Sequence, residues 1–230
     1  SGTQGSINSS TGLYSAPGSI TDGTITITAT STDDGTKTGT TSLALQQLIS
    51  PIRIAAGRAA VDGAATDNSG NTWAVDVGYA TVGSTFGIAG LAIANTLDDD
   101  VYRWHRYAYG SSSDVIAYAI PNLPTGLYSV TLRWAEIETT SQGNKMDVAI
   151  EGVTVLSNFD PVVAAGGVRT AYDQTFVVAI TDGTANVSFA VKPGAGYIGA
   201  SINALEFVDL GPPSPRTAGK VHVAGSVIFR

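Results

Sequence analysis

Two pairs of carboxylates, and His105 of the chain's two histidines, are the candidates whose types could break bonds. Glu136 and Glu138, two positions apart, share a face of any strand they occupy, and Asp147 and Asp160 form a second pair. Glycosidic hydrolysis needs two carboxyls held across the scissile bond at a set separation, and neither pair is placed that way by its spacing. His105 is accompanied by no Ser-x-Gly elbow, so no hydrolase triad is formed. No enzyme is expected. Recognition is the chemistry that remains: Tyr102, Trp104, Tyr107, Tyr109 and Tyr118 crowd one short stretch, and flat aromatic faces beside polar groups are what sugar rings stack on. The same aromatics also suit a core, which is the expectation for Trp73 and Trp134. Three acidic stretches, Asp98-Asp99-Asp100, Asp62 with Asp67-Asn68, and Asp33-Asp34, offer oxygens of the kind a structural Ca²⁺ takes, without EF-hand spacing. No other cofactor is implied.

Composition narrows the partners. Of 230 residues, 43% are hydrophobic and only 13% charged, enough to bury a real core and too apolar for disorder. The 12 Lys and Arg against 19 Asp and Glu give a net charge of −7, which excludes the basic footprint of a nucleic-acid or anionic-membrane binder. Zero Cys removes disulfides, thiolate metal sites and cysteine nucleophiles together. No apolar run of about 18 residues is present, so no membrane insertion is expected. The start at Ser1, without Met, reads as a processed or excised piece of something longer.

The elements that must position these residues read as strands. Thr, Ser, Gly, Ala and Val dominate while Lys, Glu and Leu are scarce, so the chain is expected to be all-β. Thr24 to Thr30 alternates with period two; Asp33-Asp34-Gly35 turns, and Thr40 to Gln46 returns as its hairpin partner. Further strands are expected at 52–56, 74–77, 103–108, 114–120, 127–136, 145–151, 153–156, 172–180, 184–191 and 202–208. Turn chemistry at Pro124-Thr125-Gly126, Glu151-Gly152, Thr181-Asp182-Gly183 and Pro193-Gly194 separates several of them. Alternation from 102 onward would put Tyr102, Trp104 and Arg106 on one face and Arg103, His105 and Tyr107 on the other.

Several strings occur together in a fixed order. Asp67-x-x-Gly70-x-x-Trp73-x-x-Asp76 and Val101-Tyr102-Arg103-Trp104-His105-Arg106-Tyr107 are followed by Gly126-Leu127-Tyr128-Ser129-Val130-Thr131-Leu132-Arg133-Trp134-Ala135-Glu136. Met146 to Gly152, Val155 to Asp160 and Ile202 to Phe207 complete the series. From about 52 to 209 the chain therefore resembles malectin-like domains. The resemblance implies a jelly-roll type β-sandwich that binds carbohydrate without catalysis, extracellular or at the cell surface. It places the glycan-binding residues at Tyr79, Tyr102, Tyr107 and Tyr197. The segment after Ala135-Glu136 departs from the family pattern, because Ile137-Glu138-Thr139 carries no aromatic. Gly12 to Pro17 with the following hairpin resembles the closing half of a bacterial immunoglobulin-like domain.

Four segments are expected: a partial immunoglobulin-like unit at 1–47, the malectin-like sandwich at 48–210, a Pro-rich linker at 211–219 and a terminal strand at 220–230. The last carries Val221, Val223, Val227 and Phe229 on one face and has no obvious local partner. A lone hairpin and a lone strand each lack what the other could supply. The alternative function is thus a structural subunit of an extracellular filament, a homopolymer built by head-to-tail donation of that strand. Asn8 and Asn186 sit in N-glycosylation acceptor triplets.

Overall fold

A computed structural model describes residues 5–8, 10–15, 23–45, 47–110, 114–138, 144–192, 199–212 and 227–229. It divides into two compact units, residues 1–48 with 211–230, and 49–210.

In the first unit, β1 (Ser6–Ile7) and β2 (Tyr14–Ser15) pair around a turn whose backbone N–H groups, from Ser10 and Thr11, donate to the Asn8 side chain. β3 (Gly23–Ser31) and β4 (Thr38–Leu45) form a full-length antiparallel hairpin, Gly23 opposite Leu45 through Thr30 opposite Thr38. The β-branched alternation of 24–30 builds this hairpin, and Ile25 is buried on it. At its turn, Asp34 accepts from the backbone and hydroxyl of Thr36.

The second unit is built from β5 (Ile52–Ala55), β6 (Ala65–Thr66), β7 (Thr72–Val75), β8 (Ser84–Gly87), helix α1 (Asp99–Tyr102), β9 (Trp104–Tyr109), β10 (Val115–Pro121), β11 (Gly126–Trp134), β12 (Met146–Ile150), β13 (Val153–Phe159), helix α2 (Pro161–Ala165), β14 (Tyr172–Ile180), β15 (Thr184–Val191), β16 (Gly199–Ile202) and β17 (Ala204–Gly211). They form a six-stranded sheet ordered β14-β11-β17-β5-β7-β6, a four-stranded sheet ordered β10-β15-β12-β13 and a three-stranded sheet ordered β16-β9-β8. Period-two alternation buries one face of each main strand: Tyr128, Val130, Leu132 and Trp134 from β11 join Ile116, Tyr118 and Ile120 from β10 and Val187, Phe189 and Val191 from β15 in one core. A smaller cluster holds Trp73, Tyr102, Ile93, Val101 and Ile137.

Polar anchors fix the register. Arg53, Glu206, Arg133 and Asp173 run as alternating charges across β5, β17, β11 and β14, and Arg133 lies 5.0 Å over the Trp73 ring. Asn203 splits what reads as one strand at 202–208 into β16 and β17. Its buried amide donates to the Tyr102 and Trp104 carbonyls and accepts from the Ala135 backbone. The Asp67-x-x-Gly70-x-x-Trp73-x-x-Asp76 string is a pair of such anchors: Asp67 accepts from Asn71 and the Trp73 indole, while buried Asp76 accepts both arms of Arg106, the Tyr118 hydroxyl and the Gly57 N–H.

The C-terminal strand β18 (Val227–Phe229) pairs antiparallel with β3 of its own chain, Val227 opposite Ser31 and Phe229 opposite Ala29. The expectation of a strand without a local partner is thereby corrected: β3 carries β4 on one edge and leaves the other free to take it. Val221 and Val223 lie outside the described residues.

Candidate functional site

The site is assembled on β9. Its alternation turns His105, Tyr107 and Tyr109 to one side, and the register with β16 sets Ser201 beside Tyr107 and Gly199 beside Tyr109. β16 is held by Trp134, a fully buried ring whose indole N–H donates to the Ser201 carbonyl at 2.7 Å. The segment leaving β11 brings Glu136 and Glu138, and the residue entering β12 brings Asn144. Together these residues line a cleft of about 200 Å³. Gly199 also lines it, and a Cβ there would lie 2.9 Å from Asn144 Oδ1.

Three polar groups in this cleft are buried. His105 is 2% exposed, with the Phe86 and Tyr107 rings at 6.0 and 5.4 Å from its own, and neither ring nitrogen has a hydrogen-bond partner among the described residues. Burial pushes its pKa down to about 4, so the imidazole is neutral at physiological pH. Asn144 Oδ1 also has no partner among the described residues, while its Nδ2 donates to Glu136 Oε2 at 3.4 Å. Glu136 is 2% exposed and accepts the Glu138 backbone N–H at 3.0 Å. Burial pushes its carboxyl up to about 7, and the neighbouring Glu138 charge adds to the rise. The lining suits a polyhydroxyl ring, with tyrosine rings for its C–H surface and carboxyl and amide groups for its hydroxyls.

Of the four expected glycan-binding residues, Tyr107 lines this cleft. Tyr79 packs against the main core; its carbonyl accepts the Ala119 N–H and its own N–H donates to the Asp76 carbonyl. Tyr102 belongs to α1, is 2% exposed, and its hydroxyl donates to Asp173, so it packs in the smaller core cluster and does not line this cleft. Tyr197 lies outside the described residues. His105, Glu138, Asn144 and Ser201 were not expected as binding residues, while Tyr109 stood in the aromatic stretch weighed for sugar stacking. The alternation of 105, 107 and 109 is the signal that could have found three of the lining residues.

The other candidate groups are occupied elsewhere. Asp147 pairs with Lys192 and accepts from Ser157 and Asn158, and Asp160 caps α2 by accepting from Val162 and Val163. The acids proposed for Ca²⁺ meet donors instead: Asp98 the Asn68 N–H, Asp99 the Ile93 N–H and Arg103, and Asp100 Arg58 and the Thr66 N–H. Among the described residues, no three His, Asp or Glu side chains are grouped to hold a metal ion.

Residues 52–204 match the model of the Malectin domain family. No curated protein matches the chain. Among solved structures, the ANXUR2 extracellular domain from Arabidopsis thaliana is similar at TM-score 0.61 and 16% identity, over 73% of this chain and 51% of that one. The plant receptor-like kinase FER is similar at TM-score 0.58 and 20% identity, over 70% of this chain and 42% of that one. A Bacteroides uniformis beta-glucuronidase is similar at TM-score 0.57 and 16% identity, over 76% of this chain and 21% of that one. The chain thus spans about half or less of these structures, and the likeness is one of fold. The family match begins after the first hairpin and gives no immunoglobulin-like assignment to it. With the family model covering well over half of its length, the chain belongs to the malectin domain family.

Proposed function

We propose that this is a non-catalytic carbohydrate-binding or adhesion protein of the malectin type, acting outside the cell or at its surface, with the cleft of Tyr107, Tyr109, Glu136 and Asn144 as its glycan site. The observation that carries this reading is the lining of the cleft, two tyrosines beside the polar side chains of Glu138, Asn144 and Ser201. Aromatic rings take the C–H surface of a sugar and polar side chains beside them take its hydroxyls. No helix among the described residues is long and apolar enough to cross a membrane. A glycan array of the wild-type chain beside Tyr107→Ala and Asn144→Ala tests the reading. Retained glycans that both variants lose support it, and a blank array for a folded wild-type chain ends it.

One observation favours a second reading, that of a structural subunit in an extracellular filament. β18 seats on the free edge of β3, and the same pairing made between copies joins them head to tail without closing. Deleting 217–230 should abolish fibres seen by electron microscopy. Unchanged fibres, or none in the wild-type chain, would remove this reading.

A further inference from the structure

Most edge strands of the second unit are short, shifted or covered. β6 has two residues, β8 and β16 have four each, and the register of β13 with β12 shifts along its length. The outer side of β10 is taken by the bridge between Ala80 and Tyr118 and by the Thr81 N–H. β14 differs from all of these. It pairs with β11 from Tyr172 opposite Trp134 to Ile180 opposite Gly126 without a shift of register. On its other edge, its N–H and C=O groups meet no backbone among the described residues. From Gln174 to Ile180 it carries no charge and no proline, the residues that keep sheet edges from pairing.

The surroundings of this edge are apolar. Val177, in the middle of β14, is 64% exposed, and Val163 of α2 and Val153 of β13 are exposed on the two elements that precede it. α2 lies beside β14, and the Phe159 ring at the end of β13 is 5.7 Å from the Tyr172 ring at the start of β14, so the three elements share one side of the unit. Residues 153–180 hold three charged side chains, each of them engaged: Asp160 caps α2, Arg169 donates to the Ile137 carbonyl and Asp173 pairs with Arg133. This stretch thus accounts for one of the chain's seven net negative charges. Interface centres are depleted in charge, and two copies of an acidic chain repel least where they meet on such a side.

We infer that β14 is a homodimer interface, at which β14 of one copy pairs antiparallel with β14 of a second and the two six-stranded sheets become one. A two-fold axis at Phe176, the midpoint of the strand, aligns its whole length: Tyr172 faces Ile180, Asp173 faces Ala179 and Thr175 faces Val177. No charge meets its like, because the two Asp173 side chains stand about 20 Å apart at opposite ends of the ladder. The strand is therefore its own complement, which makes the chain itself the fitting partner. An edge about 30 Å long buries less than a standard interface, so the dimer is weak and forms with rising concentration.

Sedimentation equilibrium of the full chain from about 5 to 500 µM should show monomer passing to dimer, and more readily at high salt, which screens the like net charges. Val177→Lys blunts the edge without reaching the core and should raise the dissociation constant at least about tenfold. Val82→Lys, at another exposed valine between β7 and β8, should leave it unchanged. Because the chain has no Cys, the double variant Thr175→Cys, Val177→Cys gives a selective check. Two-fold pairing brings each new thiol beside the other position of the second copy, within reach of a disulfide, whereas the two within one strand stand too far apart. Mild oxidation should then yield a covalent dimer on a non-reducing gel. A wild-type chain that stays monomeric throughout overturns the inference. So does a dimer that survives Val177→Lys; its loss with Val153→Lys, or on deletion of 217–230, then assigns the contact to β13 or to exchange of β18.

Discussion

Replacing Glu136 by Gln should stabilise the empty protein, and do so only above mildly acidic pH. The carboxyl is 2% exposed and burial lifts its pKa from 4.5 to about 7. In the unfolded chain it loses its proton near 4.5, so the folded state binds more protons through the window from 4.5 to 7. Stability is then fully present below 4.5 and is lost as pH rises to 7 and beyond. At about 1.4 kcal/mol per pKa unit, the loss is on the order of 3 kcal/mol. Gln keeps the acceptor for the Glu138 N–H and the size of the side chain but cannot ionise. Relative to wild type, the variant should therefore gain on the order of 3 kcal/mol between pH 4.5 and 8, or roughly 6–12 °C in Tm for a domain of this size. Urea unfolding followed by tryptophan fluorescence reports the right unit, because Trp73, Trp104 and Trp134 all lie within 49–210. Other titrating groups cancel in the difference between the two proteins. A difference that does not change with pH, or that favours wild type at pH 8, would refute the reasoning.

Arg106→Ala should destabilise the unit by about 3–5 kcal/mol, since it leaves buried Asp76 without its two-armed partner; chemical denaturation measures this. Gly199→Ala should weaken sugar binding more than stability, because the new Cβ, 2.9 Å from Asn144 Oδ1, displaces a cleft group; calorimetry and a thermal melt read the two effects apart. Tyr102→Phe should cost about 1–3 kcal/mol of stability through the lost bond to Asp173 and leave glycan affinity unchanged. A fall in affinity without a fall in stability would return Tyr102 to the site.

The sandwich was legible because its strands obey one simple rule. At 172–180 and 184–191 the observed bounds equal the expected ones, and 114–120 moves by a single residue at each end. Errors fall where a side chain overrides the alternation. Asn203 interrupts 202–208 by bonding three backbone groups, and the expected strand at 74–77 ends at Val75 because Asp76 is drawn inward to Arg106 and Gly57. Asp98-Asp99-Asp100, read as a metal loop, instead starts a short helix that carries Tyr102 out of the strand and into the core. The cleft was legible only in part. His105 and Tyr107 follow from local alternation, but Asn144 and Ser201 reach them through the order of strands, and β9 beside β16 is a pairing across nearly a hundred residues. Nothing local in a single sequence specifies such a neighbour.

The central claim is that a sugar occupies the cleft beside Tyr107 and Asn144. A residue-resolved NMR titration of the full chain, with the glycan that the array retains most strongly, tests it directly. The predicted result is a set of amide shifts concentrated at Tyr107, Tyr109, Glu138, Asn144 and Ser201, saturating together. Shifts confined to the β3–β4 hairpin or to the β10–β13 sheet, or a saturating ligand that leaves those five residues unmoved, would contradict it.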